Sequence, residues 1–325
     1  MSVATAMVRA IAAIAAVSLL LPTLADEPTA IPRVGVLTPQ VISPYEAALR
    51  DGLRELDYIE GKNVAIEWRR FAGGDEELRS RATDLIRAKV DVVVAVNTPA
   101  ARAALQATTN IPVVFLSGDP VASGLAVSLA RPGGNGTGVS IVLTELTPKR
   151  LELLHQLAPR ARRIVYLMNS SNPITSPQLG AARKAAGTLG VQLVTLDARD
   201  ANGLDAALRA VAKRSGDGFV VTSDVLFYAN AAKIAQVVRK ARLAAMFPSK
   251  EYHEAGVLMS YGTNTKEVGR MLAGYVDKIL KGAKPADLPI EQISKYELVI
   301  DLRVAREQRI KVPQELLFRA DEVIE

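Results

Sequence analysis

The sequence predicts an α/β protein built from two doubly wound parallel-sheet lobes. Three observations lead there: five consecutive apolar residues at 92–96, the repeated alternation of such runs with amphipathic stretches, and a tail with more elements than two complete units need. An apolar run without polar alternation suits a strand buried on both faces. Thr98 follows where an N-cap belongs and Pro99 where its missing N–H costs nothing, so a helix starts at once. The N–H groups of Ala100 and Ala101 would then point beyond the strand's end, the geometry of an anion site.

In chain order, residues 33–37 read as a first strand, and 38–44 as a loop ending in a second cap pair, Ser43-Pro44. A helix over 45–57 and a strand over 63–68 follow. The helix at 75–88 shows Leu78, Ala82, Leu85 and Ile86 at helical spacing. After the 92–96 strand and its helix comes a strand at 111–116, ending in Ser117-Gly118-Asp119-Pro120. Short connections between such elements mean a right-handed parallel sheet with helices on both faces. A short helix is expected at 121–130, and then a glycine-rich turn into a crossing strand. Gly133, Gly134, Gly136 and Gly138 do not make a phosphate loop, because no strand leads into them and no helix follows.

From Thr147 the pattern restarts. Helices are expected at 148–157, 177–189, 203–213 and 229–243, with strands at 163–168, 191–196, 218–221, 244–247 and 257–261 and a helical turn at 250–254. A long helix over 265–281, a strand at 296–300 and a helix capped by Asp301 remain. These spare elements suggest that the chain returns to the first unit and crosses once more.

With 325 residues and 49% apolar content, the chain can fill two cores. Residues 1–28 carry one basic residue, Arg9, an apolar run over 10–21, and Thr23-Leu24-Ala25. That is the pattern of a secretory signal cleaved after Ala25. The run is too short to cross the roughly 30 Å hydrocarbon core as a helix. Cysteine is absent, which excludes disulfides, thiolate metal sites and lipid attachment to cysteine. A net charge of +6, +5 once Arg9 is removed, is scattered over helices rich in Glu and Asp, so nucleic acid is not an expected partner.

Chemistry for catalysis is sparse. His155 and His253 lack the companions that a triad or a metal site needs. Asp119 and Asp224 could form a carboxylate pair, yet each is explained as a hydrogen-bonding residue at a strand end. No nucleophile with an oriented base is visible, so no enzyme activity and no cofactor is expected. A sugar-responsive transcription regulator of this fold would need a helix-turn-helix where the signal pattern stands.

The segments GLRELDYIEGKNVAIEWR, DVVVAVNTPAA, IPVVFLSGDPVASGLAVSLARPGGNGTGVS, KRLELLHQLAP, GVLMSYG, ILKGAKPADLPIEQISKYELVIDL and FRADEVIE resemble the ABC-transporter substrate-binding protein family of the tryptophan-binding type. The likeness runs from about Ile31 to Glu325. It implies a type I periplasmic-binding fold, two lobes joined by a three-crossing hinge, with a ligand cleft between them. On that pattern, lobe 1 takes residues 31–138 and 264–290 and lobe 2 residues 139–263 and 291–325, with crossings near 137–140, 259–262 and 290–295. Asn97 stands where the family more often has a small residue such as Gly.

Ligands of open parallel sheets bind beyond the carboxyl ends of the strands. The expected site residues are therefore Thr38, Ser43, Tyr45, Asn97, Thr98, Ala100, Ser117, Asp119, Asn169, Ser171, Asn172, Asp224, Phe227, Tyr228 and Tyr261. Thr98 with the Ala100 and Ala101 N–H groups, helped by Ser43 and Ser171, would hold a carboxylate. Asp224, with Asp119 as second choice, would face an ammonium. Tyr45, Phe227, Tyr228 and Tyr261 would offer flat apolar area, and the resemblance favours an aromatic amino acid. The expectation is an exported, monomeric periplasmic receptor that delivers a zwitterion to an ABC permease, with Arg50, Arg54 and Lys149 as candidate docking charges. Another solute class (sugar, nucleoside or organic anion) is the alternative.

Overall fold

A computed structural model describes residues 31–40, 44–72, 74–213 and 216–325. The expected signal segment and Ser43 lie outside these residues. Five strands of the first lobe follow the sequence pattern: β1 (Arg33–Pro39), β2 (Ala65–Phe71), β3 (Val92–Val96), β4 (Val113–Ser117) and β5 (Gly136–Ser140). Helices α1 (Pro44–Glu55), α2 (Asp75–Arg87) and α3 (Thr98–Ala107) connect the first four. The second lobe runs α4 (Leu143–Leu157), β6 (Arg163–Met168), α5 (Thr175–Leu189), β7 (Gln192–Asp197), α6 (Ala201–Ala212), β8 (Gly218–Val221), α7 (Val225–Ala229), α8 (Ala231–Lys240), β9 (Ala244–Phe247), a 3-10 turn (Lys250–Ala255) and β10 (Met259–Thr263). The chain then returns through α9 (Thr265–Leu280) and β11 (Glu291–Gln292) and ends in β12 (Tyr296–Asp301), α10 (Leu302–Gln308), α11 (Gln314–Arg319) and β13 (Glu322–Ile324).

The first sheet has the order β11-β5-β4-β3-β1-β2 and is parallel throughout. The second has the order β13-β12-β10-β9-β8-β6-β7, parallel except where β12 meets β10. In β3, alternate residues feed opposite faces: Val92, Val94 and Val96 pack with α1 and α9, while Val93 and Ala95 pack with α2 and α3. Both faces are covered, which is why the run carries no polar alternation. The second sheet is likewise covered on both faces by separate apolar clusters.

Several sequence expectations are corrected. Residues 121–130 form turns rather than a helix; Asp119 caps the first turn through the Ala122 N–H, and Gly124, at φ 71°, breaks it. The helix expected at 148–157 begins at Leu143, with Pro148 inside it. The helix expected at 229–243 is two, because Asn230 breaks it. Helix α11 and strand β13 were not expected at all. The glycine-rich stretch is structural: a Cβ on Gly138, at φ 147°, would lie 2.1 Å from the Phe115 carbonyl oxygen, so only glycine allows β5 to lie beside β4.

Residues 139–140 and 291–292, expected in the second lobe, are paired in the first sheet. The chain passes between sheets at 141–142, 264 and 293–295, where ladder pairing stops. Val142 at the first of these passages has φ 56°, a conformation that a β-branched residue adopts only under constraint.

Candidate functional site

The carboxyl ends of β1, β3 and β4 and those of β6, β8 and β9 bring two groups of loops to the junction of the lobes. Contact between them is direct. A Cβ on Gly118 would come within 2.7 Å of Leu143 Cδ1 and 3.0 Å of Ile174 Cγ1, so the absence of a side chain lets the first lobe rest on the second. Leu143, Leu146 and Ile174 form a small cluster there with Ile141, Tyr261 and Tyr296. The Thr144 hydroxyl donates to Asp119 at 2.5 Å.

The expected anion site on α3 is corrected. Asn97, not Thr98, is the N-cap, and its Oδ1 accepts the Ala100 N–H at 2.9 Å. The Ala101 N–H is bonded to the Asn97 carbonyl. Thr98 is buried, accepts the Gly118 N–H at 3.1 Å and meets the Ser117 hydroxyl at 3.2 Å. These donors thus serve the fold, and Ser117 links two strand ends. Thr38, near the end of β1, is fully buried, and its hydroxyl has no hydrogen-bond partner among the described residues.

In the second lobe the loop after β6 and the start of α7 converge on one carboxylate. Asn172 donates to Asp224 at 2.9 Å, and the Asn169 amide lies 3.3 Å from both Asp224 oxygens. The Leu226 N–H adds a bond at 2.9 Å, so Asp224 caps α7. Burial raises its pKa above the usual carboxylate value, against the lowering pull of these hydrogen bonds. Among the described residues no cation pairs with it. Ser171 is exposed, and its N–H donates to Asn169 Oδ1 at 2.9 Å. Asp119 is committed to Ala122 and Thr144 instead, so the two aspartates serve separate roles.

The aromatic residues divide. Phe227 is fully buried in the core of the second lobe and is removed from the surface expected for a ligand. Tyr45, Tyr228 and Tyr261 are partly buried; Tyr228 meets Tyr252 edge to face at 5.4 Å, and Tyr261 packs on Tyr296 at 5.9 Å. Burial, reinforced by the Glu251 carboxylate, pushes Tyr45 up to about 12, although a hydrogen bond with Thr263 opposes this. Tyr45 therefore reaches from the first lobe to the second.

Sequence reasoning missed Arg150, Tyr252 and Gln178. Arg150 is 2% exposed, and Gln178 is buried with neither amide atom bonded among the described residues. Arg150 was detectable: it falls on the same helical stripe as Leu143, Leu146, Thr147, Leu151 and Leu154. The docking candidates have acidic neighbours of their own, Arg50 with Glu60, Arg54 with Asp51 and Lys149 with Glu152. Among the described residues there is no cluster of metal-ligating side chains, and no helix is long and apolar enough to cross a membrane.

Two α/β lobes with facing strand ends and a three-passage connection define the type I periplasmic-binding fold. Residues 42–324 match the model of the ABC transporter substrate binding protein family, and the chain belongs to that family. A conserved domain protein from Vibrio cholerae superposes with a TM-score of 0.85 at 26% identity, over 90% of this chain and 99% of that one. An ABC domain from Streptococcus pneumoniae in complex with L-Trp gives 0.83 at 25% identity, again over 90% and 99%. The tyrosine-binding protein of Clostridioides difficile is 24% identical over 274 residues, 83% of this chain and 79% of that protein. The protein is a substrate-binding protein of the ABC-transporter class, a family of solute receptors rather than enzymes.

Proposed function

We propose that the protein is exported, captures an amino acid with an aromatic or other bulky side chain between its lobes, and delivers it to an ABC permease. The observation that carries this reading is Asp224: a partly buried carboxylate held by amides and one N–H, with no cation among the described residues. A partly buried carboxylate without a cation favours an arriving ammonium. Tyr252 is in electrostatic reach of Asp224 and Tyr228 packs on Tyr252, and with the partly buried Tyr45 and Tyr261 they supply amphipathic rings suited to a flat side chain. The named ligands of the relatives, L-Trp and tyrosine, agree with that chemistry.

Calorimetry with Trp, Phe, Tyr and Leu on the mature protein tests the proposal. At least one should bind, and Asp224→Ala should weaken binding by about 3 kcal/mol, because the ligand's ammonium loses its partner in a desolvated site. Retained affinity in that variant, or binding of another solute class with no amino acid binding, would overturn it. Export is tested by fractionation and N-terminal sequencing, with a start at Asp26 expected.

A further inference from the structure

Arg150 projects from the buried stripe of α4. Its Nε donates to the Tyr261 carbonyl at 2.8 Å and a terminal nitrogen to the Pro248 carbonyl at 3.0 Å. Pro248 follows the carboxyl end of β9, and Tyr261, in the middle of β10, lies level with it because Ser260 pairs with Phe247. These acceptors are dipoles without net charge. Among the described residues no carboxylate lies within ion-pair distance of the guanidinium. Partly exposed guanidiniums elsewhere are matched by acids: Arg70 with Glu46, Arg303 with Asp301 and Arg270 with Glu55. The electrostatic neighbours of Arg150 are the phenols of Tyr166, Tyr252, Tyr261 and Tyr45, and Tyr45 belongs to the other lobe. Burial pulls its pKa down to about 10, which leaves it charged at neutral pH.

A guanidinium has five N–H donors, and two carbonyl bonds leave most of them unassigned. Its planar fork matches a carboxylate, and an unmatched buried charge is costly. The helix α3 N–H groups that could have met a carboxylate are already bonded within the lobe.

We propose that Arg150 is the anchor for the ligand's carboxylate, with the Tyr45 ring closing over it from the first lobe. This rests on the zwitterion reading of the cleft. Asp224 and Arg150 would divide the ligand's two charges, and Tyr252, which feels both, would stand between their sites. The carbonyl bonds to Tyr261 and Pro248 would orient the fork, and Tyr261 also leads into the second passage between the lobes.

The test compares whichever of Trp, Tyr, Phe and Leu binds best with its primary amide and its deaminated acid, by calorimetry. Wild type should prefer acid to amide by about 100-fold, because the amide leaves the guanidinium uncompensated. In Arg150→Met that preference should fall below about 5-fold, while affinity for the amide itself changes little. Arg150→Lys, which keeps a cation and the stripe's packing, should retain only part of the preference and serves if the Met variant does not fold. An unchanged acid-to-amide preference in either folded variant overturns the proposal, as does equal loss of acid and amide binding. If the deaminated acid binds and no amino acid does, the zwitterion reading falls and the anchor stands. If neither binds, both fall.

Discussion

Thr144 donates its hydroxyl to Asp119 across 2.5 Å, and the two residues belong to different lobes. Thr144 opens the first helix after the 141–142 passage, and Asp119 lies just beyond β4. Their bond ties the first lobe to the second beside the first passage between the sheets. Thr144→Val keeps the shape and removes the donor, so it should weaken ligand binding by about 1 kcal/mol, mostly as faster release. Stopped-flow dissociation would measure this. Small-angle scattering of wild type should show a smaller radius with saturating ligand, as hinge closure requires. An unchanged radius would remove closure from the mechanism.

Asn97 carries φ 100°, a region that favours glycine, and caps α3. Asn97→Gly should release the backbone strain and lose only a few tenths of a kcal/mol of capping, a net gain of about 1 kcal/mol. Asn97→Ala would keep the strain and lose the cap, destabilising by about 1 kcal/mol. Urea midpoints in the order Gly above Asn above Ala are expected; the reverse order for Gly and Asn would show that the strain is absent.

His253 is buried, with Nε2 2.9 Å from the Ser260 hydroxyl and Nδ1 without a partner among the described residues. Burial pulls its pKa from 6.5 down to about 4; Asp301 and Glu322 oppose that shift, while Lys250 and Arg303 assist it. Below pH 6.5 the unfolded chain takes up a proton that the folded one refuses. Its contribution is therefore intact above pH 6.5 and is lost as pH falls toward 4, by roughly 3 kcal/mol in all. Urea unfolding at a series of pH values should show this decline, and His253→Gln should flatten it.

Gly269 on α9 lies against Ala48 on α1 so closely that a Cβ would stand 2.3 Å from the Ala48 carbonyl carbon. Gly52 faces the same contact, where an added Cβ would lie 2.9 Å from the Gly269 carbonyl oxygen. Gly269→Ala should push the helices apart and destabilise the first lobe by about 2 kcal/mol, despite alanine's better helix propensity. A higher unfolding midpoint for that variant would mean that the helices yield without cost.

What local chemistry encodes was readable. The 92–96 run, the cap at Asp301 and the return of the chain through a spare helix all follow from apolar spacing and helix-end preferences over a few residues. Asp224 could be placed at a strand end for the same reason. The 121–130 stretch misled because its apolar spacing imitates a helix, while the Asp119 cap and Gly124 settle it into turns.

The sequence by itself determined the two-lobe α/β plan and the loops from which a site must be built, since periodicity and caps are written over a few neighbouring residues. Only the tertiary structure decided which polar groups remain for a ligand. Ala100 lost its N–H to Asn97, Phe227 went into the core, and Arg150 acquired burial without an acid among the described residues. Those outcomes depend on partners far away in the chain, Tyr261 lying 111 residues from Arg150. A buried charge becomes informative only when all its neighbours are known, because solvation and pairing are set by the packed surroundings and not by the residue's own sequence context.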